Sequence, residues 1–320
     1  MFHYDNGLKL TAIDLAIDVR RRQPRAFVSH AHSDHTAPHE LAFCTPATAR
    51  MYQHRHGPRR TRDMPFGQTL EWGSVRLTTY PAGHIFGSAM LLAECEGQSL
   101  LYTGDFKLSP SATAEPAQLP RADVLVMECT FGDKRYRLPP REKAIGQLLD
   151  VVRDVISDGY TPVIYAYVLG KSQEVTRILT DAGIPVQQHA LAHEISLLYE
   201  ECGCPLGDFS LYKGRARKGH AVVMPPRSQK SARVPLPRNS ATIAVTGWAA
   251  DPRARYSLGV DHAIPLSDHA DYDELLEAVE QVQPKVVYCT HGPAGFVDDL
   301  QEAGHDARQL GRATALRLFR

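Results

Sequence analysis

Over its first third the chain alternates apolar and polar positions in short runs. Residues 2–28 read as strand-rich, with an Asp5-Asn6-Gly7 turn suited to a hairpin. Short β-like runs follow at Val75–Tyr80, Ala89–Glu94, Ser99–Tyr102 and Val124–Met127, separated by Gly, Pro or polar turns. The period changes near residue 141. Ile145, Leu148, Leu149, Val152 and Ile156 recur at helical spacing, and Asp158-Gly159 supplies a stop. Thr161–Val168 then reads as a buried strand, and Gly170-Lys171-Ser172 opens a helix that ends at Asp181-Ala182-Gly183. Ile184–Gln187 is strand-like and Ala190–Cys202 an amphipathic helix. Residues 213–238 read as a surface loop rich in Arg, Lys and Pro around the strand Ala221–Met224. Strands return at Ala241–Thr246 and Val286–Tyr288, with a helix from about Asp271 to Gln281 between them. Strand, Gly-rich turn and helix in alternation predict an α/β layer with a parallel sheet.

With 320 residues, 43% of them hydrophobic, the chain has material for one large domain or two intermixed ones. Lys+Arg and Asp+Glu both number 36, which excludes a globally basic nucleic-acid coat and an acidic tail but leaves room for local basic grooves. No run of 18 apolar residues exists, and the start lacks the basic and apolar regions of a signal peptide. The six cysteines are scattered, with no Cys-x-x-Cys pair, so a reduced, cytoplasmic protein is expected.

The 15 histidines change the picture. Ser29-His30-Ala31-His32-Ser33-Asp34-His35 follows the apolar run Ala26-Phe27-Val28 and packs four potential ligands into six residues at a strand end. Imidazole with carboxylate suits zinc and its first-row neighbours. A merely polar, His-rich loop is the bland alternative. His84, after Pro81-Ala82-Gly83, would be an ordinary loop histidine if it stood alone, and Asp105 in Tyr102-Thr103-Gly104-Asp105 could be a simple turn. Ser267-Asp268-His269-Ala270-Asp271 could be no more than a helix cap, with Ser267 or Asp268 capping and Glu274 in the first turn. His291 follows the strand Val286–Tyr288 as His84 and Asp105 follow theirs. Four strand ends each carrying a ligand type predict one shared dinuclear site.

His30-x-His32-x-Asp34-His35, His84, Asp105 and His291 resemble the ligand motifs of the metallo-β-lactamase superfamily. Glu128 in Met127-Glu128-Cys129-Thr130-Phe131-Gly132, His269, and Leu169-Gly170-Lys171-Ser172-Gln173-Glu174 resemble motifs of its nucleic-acid-cutting β-CASP branch. Within that branch, Ala166–Lys171, Met224-Pro225-Pro226, Gly247-Trp248 and Ser267–Leu275 are most similar to bacterial DNA ligase-associated exonucleases, and also to messenger-RNA 3′-end processing factor-like proteins. The resemblance implies an αββα sandwich from residues 1–132 and 266–320, with an inserted α/β β-CASP cap at 133–265. His30, His32 and His84 would hold one ion, Asp34, His35 and His291 the other, and Asp105 would bridge. The ions would be zinc, with manganese as the alternative. Artemis-like members lack a histidine at the position of His291, so their substrate preference does not transfer directly.

The activity so implied is hydrolysis of phosphodiester bonds in single-stranded DNA, exonucleolytic and in DNA repair, through a hydroxide activated by two metals. Association with a DNA ligase and helicase is implied as well. Asp34, Glu128 and His269 are the catalytic candidates, the last two for protonating the leaving oxygen. Gly170-Lys171-Ser172 at a helix N-terminus is a candidate phosphate site, and Ser88 a weaker one. Phe86, Phe131 and Trp248 could stack on bases, though aromatics at such places are commonly core. The basic clusters Arg20–Arg25, His54–Arg62 and Lys213–Lys218, with Arg227, Lys230 and Arg233, are either a groove or a solvated face. Alternatives are a β-CASP ribonuclease, a small-molecule metallo-hydrolase and a scaffold without activity. A small-molecule hydrolase would not require the insertion, Glu128 or His269, and every ligand position is filled, which speaks against a scaffold.

Overall fold

The structure, a computed structural model, describes residues 2–4, 7–226 and 235–311. Asp5 and Asn6 of the expected turn, and Arg227, Lys230 and Arg233, lie outside the described residues. The chain divides into two compact units. The first comprises residues 1–110, 114–133 and 269–320, the second 111–113 and 134–268.

The first unit holds two sheets. One has six strands in sequence order: Phe2–Tyr4, Leu8–Leu10, Leu15–Ile17, Arg25–Phe27, Leu41–Cys44 and Arg60–Asp63. The other has seven, ordered Ala307–Gln309, Val286–Thr290, Val124–Glu128, Gln98–Tyr102, Ala89–Cys95, Val75–Pro81 and Thr69–Trp72. Strict period-two patterning builds the layers. In Val124–Glu128, Val124 and Val126 face a core shared with Leu10, Phe27 and Phe43 of the first sheet, while Leu125 and Met127 face the opposite way. Val286 and Tyr288 against Val287 and Cys289 repeat the split. The outward face is covered by the helices Tyr272–Val282 and Gly295–Glu302 through Leu275, Val279, Phe296 and Leu300. The outer face of the six-stranded sheet takes the helix Pro46–His56 through Ala49 and Tyr52. The layers are therefore helix, sheet, sheet, helix.

The second unit has one six-stranded sheet, ordered Phe209–Leu211, Val186–Gln188, Ala221–Met224, Thr161–Tyr165, Ser240–Val245 and His262–Ile264, and every pairing is parallel. Parallel neighbours need crossovers. The helices Lys171–Asp181 and Ala190–Glu201 lie in the connections between these strands, and Arg141–Ser157 precedes the first of them. Ile164, Val223 and Ile243 enter one core and Val163, Val222 and Ala244 another, so the strands are apolar on both faces.

Two expectations shift. The strand from Thr161 stops at Tyr165, because residues 166–170 turn into the next helix through Gly170 at φ +90°. The cap of Tyr272–Val282 is Asp271, whose Oδ1 accepts from Asp273 N and Glu274 N at 3.0 Å each. Glu274 returns the bond to Asp271 N at 3.2 Å. Ser267 and Asp268 are thereby excluded as the cap. The helix Pro46–His56 is weakly patterned, burying only Thr48, Ala49, Met51 and Tyr52, and its sequence signals are Thr45 as cap and Pro46 in the first turn.

Candidate metal centre

In the seven-stranded sheet, Val75–Pro81, Gln98–Tyr102, Val124–Glu128 and Val286–Thr290 run in one direction. Their C-terminal ends deliver His84, Asp105, Glu128 and His291, and Arg25–Phe27 of the other sheet delivers the loop His30–His35.

Two glycines set the approach of these loops. Gly83 has φ +76°, and a Cβ there would lie 2.1 Å from the Lys107 carbonyl oxygen. Only glycine lets the His84 loop run against the Asp105 loop, where Lys107 N donates to Ala82 O at 2.9 Å. A Cβ on Gly292 would lie 1.9 Å from Cys129 O, so His291, itself at φ +56°, is drawn in beside the strand end at Glu128.

Ligand atoms of His30, His32, His84 and Asp105 all lie within 4.8 Å of one another. His32 Nδ1 is 2.9 Å from His30 Nε2 and 3.2 Å from His84 Nε2. Asp105 Oδ2 is 3.5 Å from His30 Nε2, 3.8 Å from His84 Nε2 and 3.4 Å from His35 Nε2. Asp105 thus stands between the His30–His84 group and His35. Beyond it, Asp34 Oδ2 approaches His35 Nε2 at 3.9 Å, and the His291 ring lies 5.9 Å from that of His35. The second set is looser, with Asp34 and His291 both exposed.

Burial and charge tune these groups. Burial holds His30 well below the usual histidine range, helped by the charges of His35 and His32. Its lone pair is therefore available to a cation. Burial also opposes charge on His35, yet the carboxylates of Asp105 and then Asp18 overcome it and push that ring well above its usual value. Burial would raise Asp105, but His35 foremost holds it well below the ordinary carboxylate range.

Asp18 is a functional residue that the motif reading missed. It accepts from Ser29 N at 2.8 Å, Tyr102 Oη at 2.9 Å, His35 Nδ1 at 2.8 Å and the Ser29 hydroxyl. A carboxylate on the far nitrogen of a ligand histidine fixes its tautomer and aim. The available signal was its place directly after the strand Leu15–Ile17, as Asp105 follows Gln98–Tyr102 three residues on. Arg55 was also hidden, inside a run read as a basic cluster. It donates to Ala31 O at 3.2 Å, between His30 and His32, while Tyr52 Oη donates to Ala37 O at 2.8 Å. The weakly patterned helix is what steadies the ligand loop.

Glu128 and His269 form a pair, His269 Nδ1 to Glu128 Oε1 at 2.8 Å. Glu128 is 1% exposed and also accepts from Phe106 N at 3.2 Å, Thr130 N at 3.1 Å and the Thr130 hydroxyl. Asp105, Glu128 and His269 make a second group within 4.8 Å. Phe131 is buried with its ring 6.1 Å from His269 and acts as core there.

The remaining candidates are occupied otherwise. Ser88 Oγ accepts from Ile85 N at 3.2 Å and closes its own turn. Ser172 Oγ donates to Tyr167 O at 2.7 Å. Lys171 is 1% exposed, with Nζ 2.8 Å from Glu174 Oε2 and 3.7 Å from Asp268 Oδ1. A lysine spent on two carboxylates is not offered to phosphate.

Histidine and carboxylate donors converging from separate strand ends, with His30 held neutral, fit a divalent cation. The αββα layers and this donor set fit the metallo-hydrolase class. A family model described as "Zn-dependent metallo-hydrolase RNA specificity domain" matches residues 260–313. The chain is 40% identical to a "Probable DNA ligase" of Opitutus terrae, over 98% of itself and 31% of that protein. It is 30% identical to "5' exonuclease Apollo" of Gallus gallus, over 87% of itself and 62% of that protein. It is 28% identical to "Endoribonuclease ysh1" of Emericella nidulans, over 56% of itself and 21% of that protein. The chain thus spans less than two thirds of each of these relatives. These matches support a metallo-β-lactamase-fold nuclease of the β-CASP branch. No helix among the described residues is long and apolar enough to cross a membrane.

Proposed function

We propose that the chain is a metal-dependent phosphodiesterase that shortens single-stranded DNA. The observation that carries this reading is the convergence of His30, His32, His84 and Asp105 with the Glu128–His269 pair grouped on the same Asp105. A small-molecule hydrolase would need the first set alone. His30, His32 and His84 would hold one ion, Asp34, His35 and His291 a second, and Asp105 both. Zinc is the proposed ion, and manganese the alternative. Bound divalent ions supply an activated water at neutral pH and neutralise phosphate charge. Glu128, buried on four donors, orients His269, and His269 gives a proton to the leaving 3′-oxygen. Residues 134–268 would be the β-CASP domain of the chain. The names of two relatives, a probable DNA ligase and a 5′ exonuclease, support DNA and a place in repair beside a ligase and helicase. Six free cysteines support a reducing, cytoplasmic setting. The family model's RNA wording and the endoribonuclease relative favour RNA as the second reading.

The test is incubation of the purified protein with matched DNA and RNA strands labelled at either end, with zinc, manganese or chelator. Metal-dependent, progressive shortening of DNA that Asp105→Asn abolishes is the expected result. Cutting of RNA alone would move the substrate to the second reading. No cutting of either would overturn the nuclease.

A further inference from the structure

The second unit carries a surface on which aromatic rings and guanidiniums crowd together. The turn Gly247–Ala250 presents Trp248, 43% exposed, and the four-residue helix Ala254–Ser257 presents Tyr256, 79% exposed. Asp251 ties the two together, its N–H donating to Trp248 O at 3.2 Å and its carbonyl accepting from Ala254 N at 2.8 Å. Tyr136, on the turn Lys134–Tyr136, meets Trp248 edge to face with ring centroids 5.2 Å apart. The Arg135 guanidinium lies 5.7 Å from the Tyr136 ring, and that of Arg255 lies 5.8 Å from the Tyr256 ring. Arg253 sits beside Asp251, and first its bonds and then the charge of Arg135 lower that carboxyl.

Exposed large apolar groups scattered singly mean little, but clustered ones mark a binding surface. Here the cluster is mixed with arginine on a chain whose overall charge is zero. Its complement is a polymer offering flat π-faces and one negative charge per unit. Single-stranded nucleic acid has both, whereas a duplex hides its base faces in the stack.

We propose that Tyr136, Trp248 and Tyr256, with Arg135, Arg253 and Arg255, form a base-stacking platform that holds a single strand outside the metal centre. The inference deepens the nuclease reading and rests on it for the role in cleavage, while strand binding itself is measurable without any cutting.

The chain has two tryptophans. Trp72 packs edge to face on Phe43, ring centroids 5.0 Å apart, so Trp72→Phe keeps an aromatic ring there and leaves Trp248 as sole reporter. In chelator, titration with a 20-nucleotide oligo(dT) is expected to quench Trp248 saturably. Tyr256→Ala, on an exposed turn, is expected to weaken that binding about tenfold. In the cleavage assay the Trp248→Ala and Tyr256→Ala losses should fall on KM rather than kcat, and more heavily for a 20-mer than for a trinucleotide. Absence of quenching, quenching as strong with duplex as with single strand, or wild-type strand affinity in Tyr256→Ala each overturns the platform. The absence of quenching would leave the surface to a protein partner. Absence of cutting by the wild type together with saturable quenching would overturn the nuclease and keep the platform.

Discussion

Around Asp105 in the first unit, buried carboxylates meet imidazoles. Around Glu174 in the second, they meet a lysine and an arginine. Both clusters follow a strand and a glycine-bearing turn, and in sequence the first reads as a metal ligand and the second as part of a phosphate site. In the second unit, Glu174 takes Lys171 Nζ and Arg141 at 2.8 Å each and the Ser111 hydroxyl at 3.0 Å, and Lys171 reaches Asp268 as well. Two cations face two anions, and the account is closed. In the first unit, the ion-pair partners of Asp18, Asp105 and Glu128 are histidines. One of the imidazoles there, His30, is held neutral by its burial. An unpaired buried ion costs several kcal/mol, so three carboxylates on imidazoles leave a deficit of positive charge that a divalent ion makes good. What separates a metal centre from a structural ion network is thus the type of counter-charge, more than the strand-end position.

The sharpest way to break the comparison is at its two central carboxylates. Asp105→Asn is expected to cost roughly a thousandfold in cleavage and to lower bound metal measured by elemental analysis. Glu174→Gln should do the reverse. It strands Lys171 and Arg141, so stability should fall by about 3–5 kcal/mol in urea unfolding while the metal content of the folded protein holds. Equal behaviour of the two variants would erase the distinction. Glu128→Gln, which keeps the shape of the pair with His269 but removes its charge, should lower kcat by roughly a hundredfold with metal content kept.

His39 sharpens the contrast from a third side, being buried with no carboxylate pair. Its Nδ1 accepts from Gln23 N at 3.2 Å, and burial, followed by the charge of His56, lowers it to about 4. Because its folded value lies below the ordinary 6.5, its contribution is present above pH 6.5 and is lost as pH falls toward 4. In chelator, the stability lost between pH 7.5 and pH 4.5 should be smaller by about 2.5 kcal/mol in His39→Gln than in the wild type. The smallest effect is expected at Asp18. Asp18→Asn should weaken metal binding by roughly ten- to a hundredfold in a competition titration, with the fold intact.

Most of the sheet was legible because period-two alternation is strong where strands are clasped between two cores, as in Val124–Glu128. The helix Pro46–His56 was not, since it packs on one sheet with few apolar residues and has no stripe to read. The ligand motifs were legible because imidazole crowding has little other use. Asp18 and Arg55 were not, because their role lies in which groups they touch across 11 to 84 residues of chain. Lys171 shows the converse. A glycine, a lysine and a serine at a helix start read as a phosphate cradle, but Glu174 one turn on had already claimed the charge.

The order of the strands carries a consequence for how the protein is made. Val286–Thr290 lies inside the seven-stranded sheet, between Val124–Glu128 and Ala307–Gln309. A nascent chain that has just yielded Glu128 therefore lacks the neighbour of that strand, along with His269 and His291. Residues 134–268 emerge in between, a delay on the order of ten seconds at ordinary elongation rates. Through that interval the growing polypeptide carries His30, His32, His84 and Asp105 without the groups proposed to release product. A cutting centre built in this order can close only once Val286–Thr290 has been made.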